Sequence, residues 1–406
     1  MDKQTVINHC HTLYPHLSRA DIKNKIRFAK NSGSNRLERE FLLFRALVPL
    51  FYDLLRQEKI LSGLGKAGKE EGWCVGDPHM ENFGFVHTGC PCAGKADGRY
   101  KFVANDPDDG AHGYPVADLL RYLVNYHFAG SSYDRDKAIN CYLKGLQGKS
   151  RSSCHDGSMK KLRKKLSDPS DLYEWQHGRW RLIRDHKIYS LLCDIDECQA
   201  KTILHDAVLQ ACPEYVICDS FQFKKDGGGS GGLLQYRFLL SKLKKSDNNP
   251  CSDHNNKSLI VIDLKPELRS STYPLHCLCG KQLAAPSQQL CSLQPKRIVK
   301  RVKKNLHVER GGKSSCKPLA IPPLGAFLLR FRNPGEAGVS ISQMQDEQIK
   351  KKEMIRLECH TLGKTHRRGL QHPHPFAKQI DKKRAEIKKA TKKMIRLLQH
   401  QFSTII

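Results

Sequence analysis

The chain has 406 residues, 69 Lys and Arg against 41 Asp and Glu, a formal net charge of +28 and 39% hydrophobic residues. That length and apolar content exclude a disordered chain and suit one large domain or two ordinary ones. The charge favours anionic partners such as phosphate esters, nucleotides, nucleic acid or anionic lipid without choosing among them, and a solvated basic surface accounts for it as readily. The sixteen cysteines include no C-x-x-C pair, the first residues lack the order of a signal peptide, and the longest apolar run, Phe41–Leu55, is interrupted by Arg45 and Pro49. A soluble cytoplasmic protein with reduced thiols and no transmembrane segment is expected.

Residues 1–70 read as helical. Phe41, Phe44, Leu47, Val48, Phe51, Leu54 and Leu55 recur at helix spacing and mark a buried helix, and residues 61–72 form a glycine-rich charged loop. The short apolar run Trp73–Val75 leads into the segment GDPHMENFGF, and Tyr100–Ala104 reads as a strand followed by the acidic turn NDPDDG. Val116–Tyr126 is an amphipathic helix, residues 145–170 a linker or exposed insertion, and residues 172–211 mostly helical. The segment KKDGGGSGG, between strand-like stretches, predicts a β-hairpin region, with a flexible linker as the bland alternative. A basic helix over 294–305, a strand over Gly325–Phe331 and a basic helical tail from about Ser342 complete the chain.

In the tail, Lys378–Phe402 reads as one basic amphipathic helix, in which Ile380, Ile387, Met394, Leu397 and Leu398 form an apolar stripe and Lys382, Lys383, Lys388, Lys389, Lys392, Lys393 and Arg396 cover the remaining surface. Docking of the stripe on the chain's own core is the preferred expectation; attachment to an anionic membrane or nucleic acid surface is the rival. No aromatic residues interleave with these cations, which disfavours a base-stacking module.

The chemistry concentrates in Val75–Asn82. Asp77 and Asn82 are five residues apart, the interval at which protein kinases place the carboxylate that accepts the hydroxyl proton and the amide that holds a metal. A kinase site also needs an Asp after a later strand, and Asp106 follows Tyr100–Ala104, with Asp108 and Asp109 close behind. Turn-forming and helix-capping roles are the ordinary explanation for such Asp residues. The glycine-rich hairpin then offers backbone N–H groups to phosphate at Gly227, Gly229, Ser230 and Gly232. Lys265, on the strand-like stretch Leu259–Leu264 or just past it, is placed to contact phosphate or, equally, to guard a sheet edge. Glu267 is the nearest candidate to orient Lys265. His79 is expected to shape the loop, Asp118 to fix it from a helix, and Arg45 and Arg121 to form ion pairs at the core edge. Zinc ligation by Cys90 and Cys92, by His276, Cys277 and Cys279, or by His9, Cys10 and His11 is a weak alternative.

These residues resemble a bacterial domain-of-unknown-function family, number 2252, whose members are predicted relatives of kinases and aminoglycoside phosphotransferases. The family's GD-x-H-x-x-NFG motif is matched by Gly76–Gly84. Its N-D-F-D-E cluster is matched by Asn105, Asp106, Asp108 and Asp109, and its W-D-x-x-R-L pattern by Asp118, Arg121 and, one residue displaced, Leu123. Phe41, Phe44 and Arg45 match an upstream helix motif, Gly227–Tyr236 a glycine-rich segment, Leu264–Glu267 a Lys-Glu strand and Thr365–Arg367 a late helix. Pro107, Ala117 and Pro266 depart from the pattern, the last between Lys265 and Glu267.

The resemblance implies an α+β, two-lobed protein-kinase-like fold in permuted lobe order. Residues 1–210 would form a mainly helical catalytic lobe, 211–335 a β-rich nucleotide-gripping lobe and 336–406 basic helices packed on the catalytic lobe. It implies ATP and Mg2+ as cofactors, Asp77 as catalytic carboxylate, Asn82, Asp106 and Asp108 as metal ligands, and an unknown hydroxyl-bearing substrate. The rivals are a pseudokinase or basic binding module for an anionic partner, and nucleotidyl transfer from a kinase-like site.

Overall fold

The computed structural model describes residues 2–14, 16–87, 100–104, 109–149, 172–185, 191–194, 201–225, 227–229, 231–243, 251–252, 259–266, 271–276, 316–321, 325–332, 337–338 and 348–406. Helices α1 (Lys3–Leu13), α2 (Arg19–Ser32), α3 (Arg36–Ala46) and α4 (Val48–Gln57) open the chain. Asp2 accepts from the Thr5 N–H, Ser18 and Asp21 form a reciprocal capping box, and Asn35 accepts from the Glu38 N–H. Each cap satisfies an N–H that the first helical turn leaves unpaired. The run Phe41–Leu55, expected as one helix, is two. Leu47 leaves helical geometry (φ −116°, ψ 53°), and Pro49, which has no N–H to contribute, opens the next helix. In place of a plain loop, a 3-10 segment covers Ser62–Gly68.

Next come β1 (Gly72–Cys74), a 3-10 turn (Met80–Asn82), the hairpin of β2 (Phe83–His87) and β3 (Tyr100–Ala104), β4 (Ala111–Gly113), α5 (Pro115–Phe128) and α6 (Arg135–Leu146). The expectation of helix across 172–211 is overturned. Among its described residues, that span holds β5 (Tyr173–Gln176), β6 (Arg179–Leu182) and β7 (Leu191–Asp194), with one α-helix, α7 (Lys201–Ala211). The overlooked signal is the two-residue turn His177–Gly178. Both residues have positive φ, the geometry that joins twisted antiparallel strands, and Trp175 faces Trp180 across the ladder.

The remaining elements are β8 (Tyr215–Lys224), β9 (Gln235–Lys242), β10 (Leu259–Pro266), the short α8 (Tyr273–His276), β11 (Cys316–Ile321), β12 (Gly325–Arg332), β13 (Ala337–Gly338), α9 (Gln348–Gly369), α10 (Pro373–Lys382) and α11 (Arg384–Ile405). Six strands form one antiparallel sheet in the order β11-β12-β10-β9-β8-β7. One face packs Tyr236, Phe238, Ile262, Leu264, Phe327 and Leu329 on Leu204 and Val208 of α7. The other buries Phe221, Phe223, Leu239 and Val261 with Leu182. On that face Arg237 stands opposite Asp263 in the ladder and binds it through two hydrogen bonds, 2.7 and 3.1 Å, which ties register to charge pairing. The β5–β6 hairpin is fastened to the same sheet by Asp219, which accepts from the Leu182 N–H and from both terminal nitrogens of Arg184. Leu172 and Tyr173 also pack against this face of the sheet.

The thiol expectation is also corrected. The β8 register slips at Cys218, and that cysteine is disulfide-bonded to Cys251 with 5.3 Å between Cα atoms. Cys10, Cys74, Cys141 and Cys359 are free thiols.

The larger core lies among α1–α6 and α9–α11. Helices α6 and α9 meet backbone to backbone. A Cβ added at Gly145 would stand 2.2 Å from the His360 carbonyl oxygen, and one at Gly363 would stand 2.1 Å from that of Tyr142. The single tail helix expected over Lys378–Phe402 breaks at Lys383 into α10 and α11, while Ile380, Ile387, Met394 and Leu398 all enter the core. Among its cations, Lys388 pairs with Asp136 at 2.5 Å and Lys393 with Glu58 at 2.6 Å. No helix among the described residues is long and apolar enough to cross a membrane.

This packing predicts a contrast within α11. Leu398→Ala, at a fully buried position, should lower unfolding free energy by about 2–5 kcal/mol, and Lys392→Ala on the exposed face should change it by less than about 0.5 kcal/mol. Denaturant unfolding checks this; equal effects would place the stripe off the core.

Candidate functional site

The Asp77 loop is held from beneath by Asp118, a fully buried residue in the first turn of α5. Its carboxylate accepts from the Val75 N–H at 2.6 Å, the Gly76 N–H at 3.3 Å and the Tyr52 hydroxyl at 3.2 Å. His366 Nε2 lies 3.1 Å from the same group, and His366 Nδ1 lies 2.7 Å from the Tyr142 hydroxyl. The single Tyr52 O–H proton is shared between the Asp118 carboxylate and the Gly76 carbonyl. Gly76 has φ +86° and lies against the Asp109 backbone, where a Cβ would stand 2.0 Å from the Asp109 carbonyl oxygen, so only glycine suits the position. Further along, Asn125 accepts from the Met80 N–H at 2.9 Å.

Asp77 is 4% exposed. Its Oδ1 accepts from Arg121 Nε at 2.9 Å and Nη2 at 2.5 Å, while Oδ2 faces His79 Nε2 at 3.5 Å. Burial pushes the Asp77 carboxyl up to about 6, with Arg121 opposing that shift and Asp109 adding to it. Arg121 is fully buried, stacks 4.2 Å from the Phe44 ring centroid and donates to the Phe44 carbonyl. Asn82 donates its amide to the Asp77 carbonyl at 2.9 Å, which leaves Oδ1, a hard oxygen, as the end suited to a divalent cation. Glu81, in the same turn, pairs with Arg45 of α3.

The β2–β3 register pairs Phe83 with Ala104, so the strand end from which the acidic segment departs adjoins Asn82. Asp109, at the far end of that segment, lies against Gly76 and accepts from the N–H and hydroxyl of Ser271 at 3.2 and 2.7 Å. Both described ends of the segment thus border the loop. Asn105, Asp106 and Asp108 themselves lie outside the described residues, as do Ser230 and Glu267.

The glycine-rich turn between β8 and β9 reaches this loop from the sheet. A Cβ on Gly229 would stand 3.9 Å from Asp77 Oδ2 and 3.7 Å from the Arg45 carbonyl oxygen. Gly227 abuts the Phe28 ring and Gly232 abuts Asp21, both on α2. Lys265 is on β10, whose neighbours are β9 and β12, so the suggestion of an edge-strand lysine is excluded by topology. Lys265 is close enough to Lys25 of α2 to perturb its titration.

Lys25 is the residue that motif reading passed over. It is fully buried, and its ammonium donates to the carbonyls of Gly228 at 2.6 Å and Gly229 at 2.9 Å. The available signal was its place in the stripe Ile22, Lys25, Ile26, Ala29, where a lysine occupies an apolar position. Of the zinc readings, His9 is instead 2.8 Å from Asp53, Cys10 is buried in the core, and Cys90, Cys92, Cys277 and Cys279 lie outside the described residues. Among the described residues no group of three or more His, Cys, Asp or Glu is disposed to hold a metal.

The buried ion pair predicts strong coupling. Arg121→Leu should cost about 3–5 kcal/mol because it leaves the Asp77 charge buried alone. Adding Asp77→Asn should recover a large part of that loss. Denaturant unfolding of the two single variants and the double variant measures it; additive costs would mean that Arg121 does not neutralise Asp77.

No curated protein and no solved structure matches the chain. The segment that carries Arg45, the Asp77 loop, Asp109, Asp118 and Arg121, residues 36–141, matches the model of a family described as an uncharacterized protein conserved in bacteria (DUF2252), and over that span the chain is similar to it.

Proposed function

We propose that the chain is an ATP- and magnesium-dependent phosphotransferase acting on a hydroxyl acceptor, with a two-lobed kinase-like arrangement in permuted order. The observation that carries this reading is the meeting of Gly229 with Asp77. A glycine-rich turn and a loop carboxylate about 150 residues apart in sequence are brought so near that a Cβ on Gly229 would stand 3.9 Å from Asp77 Oδ2. Counting β8 and β9 as the strands of the glycine-rich hairpin, Lys265 is on the third strand, which is where protein kinases carry their phosphate-contacting lysine.

In this reading the glycine turn and Lys265 would grip the polyphosphate, and Asn82 Oδ1 with Asp106 and Asp108 would hold the magnesium ion. Magnesium-bound ATP would supply a transferable phosphoryl group with part of its charge neutralised. Arg121 fixes Asp77 Oδ1, and Oδ2 is the oxygen left to orient an acceptor hydroxyl and take its proton. A carboxyl pushed up to about 6 is ionised at neutral pH yet basic enough to accept a proton in a transition state. Asp118 shapes the loop without touching the reacting atoms, while His79 faces Asp77 Oδ2 through Nε2 at 3.5 Å and would help orient that oxygen. The two-point grip of Arg121 on Asp77 favours a second reading, a pseudokinase or anion-binding module in which the carboxylate is a structural anchor.

Magnesium-dependent ATP turnover separates the two. Asp77→Asn should lower it by roughly a hundredfold or more. In the wild type, turnover should fall as pH drops through about 6, because Asp77 takes up a proton there and ceases to be a base. Nucleotide-induced stabilisation with no turnover in either protein would select the pseudokinase.

A further inference from the structure

Two hundred residues separate Lys25 from the glycine turn, and both of its described hydrogen bonds end on that turn. The partners are neutral carbonyls. Among the described residues, no carboxylate lies within ion-pair distance of its ammonium, although Asp21, Asp77 and Asp109 act on it from farther away. A buried ammonium with three donors, two carbonyl acceptors and the Tyr14 ring 5.7 Å away is poorly compensated for the water it has lost. Its surroundings combine the features of an anion site: a glycine turn with backbone N–H groups, a second lysine at Lys265, and the Asp77 loop on the far side of Gly229.

We propose that Lys25 is a polyphosphate-binding residue, capped by the Gly228 and Gly229 carbonyls in the ligand-free chain and handed over to the phosphate oxygens of a bound ligand. This rests on the nucleotide reading above and adds a cation from the N-terminal helices, outside the glycine turn and Lys265. The exchange is physically balanced. The turn gives up two carbonyl bonds that water or phosphate-ordered backbone can replace, and Lys25 gains a charged partner, whose hydrogen bonds are roughly twice as strong as neutral ones. Burial lowers the Lys25 ammonium to about 7, so a charged partner arriving at this position would restore the protonated form. Gly227 on Phe28 and Gly232 on Asp21 keep the turn seated on α2 while its tip changes partner.

The test is calorimetric titration of the full-length chain with magnesium-bound ATP, with inorganic tripolyphosphate and with adenosine. Lys25→Gln, which keeps a donor but removes the charge, should weaken ATP and tripolyphosphate by roughly tenfold or more and leave adenosine unchanged, and Lys25→Arg should retain most of the affinity. A nucleotide-only ligand would show ATP binding without tripolyphosphate binding, with the same loss in Lys25→Gln. Wild-type affinity in a folded Lys25→Gln overturns the proposal and leaves the nucleotide reading standing. A wild type that binds neither ligand overturns both. Should Lys25→Gln not fold, NMR titration of 13C-lysine-labelled wild type decides. The Lys25 signal should titrate at least one pH unit higher with magnesium-bound ATP or tripolyphosphate present, and a midpoint moved by neither overturns the proposal.

Discussion

The site depends on one buried carboxylate that does no chemistry. Asp118 collects two loop N–H groups, the Tyr52 hydroxyl and His366, and thereby fixes the path of the chain from Val75 into Gly76. A carboxylate with no exposure is tolerable only when its acceptor capacity is filled, and here the backbone of the loop fills much of it. Arg121 lies one turn further along the same helix, so the element that holds the loop also presents the cation for Asp77. Loop geometry and the charge state of Asp77 are thus set by one helix whose side chains are almost all buried.

Around that helix the chain assembles a site from parts with little local connection. The sheet contributes a glycine turn, α2 contributes Lys25, α3 contributes Arg45, and the segment after β10 returns to the helical body through Ser271 and Leu275. Gly227 and Gly232 lie against α2, Gly228 and Gly229 accept from Lys25 of α2, and Gly229 also borders the Asp77 loop, which makes the turn a joint between the sheet and the helical body.

Much of this was legible in the sequence because it is written in short spacings. The Asp77–Asn82 interval, the strand before the acidic turn, the α5 helix and the apolar stripe of the tail all depend on local periodicity or turn chemistry. The mixed helix and antiparallel sheet composition also follows from those patterns. Three features were not legible. The β5–β6 hairpin lies in a stretch with too few residues per strand for alternation to register, and its signal is carried by the φ of His177 and Gly178. The disulfide of Cys218 and Cys251 depends on a register slip that no spacing rule encodes. Lys25 could be recognised as misplaced on an apolar stripe, but its target lies two hundred residues away and only tertiary folding names it.

The crossing of α6 and α9 places an unusual demand on two residues remote from any ligand. With hydrogen alone at Gly145 and Gly363, the helix axes sit close enough for His366 to span between Tyr142 and Asp118. A single methyl at either position would wedge the helices apart and withdraw the imidazole, so the loop would lose a tether without any change to its own sequence. Tolerance to substitution across this protein should therefore follow the chain of supports behind Asp77 and not distance from it.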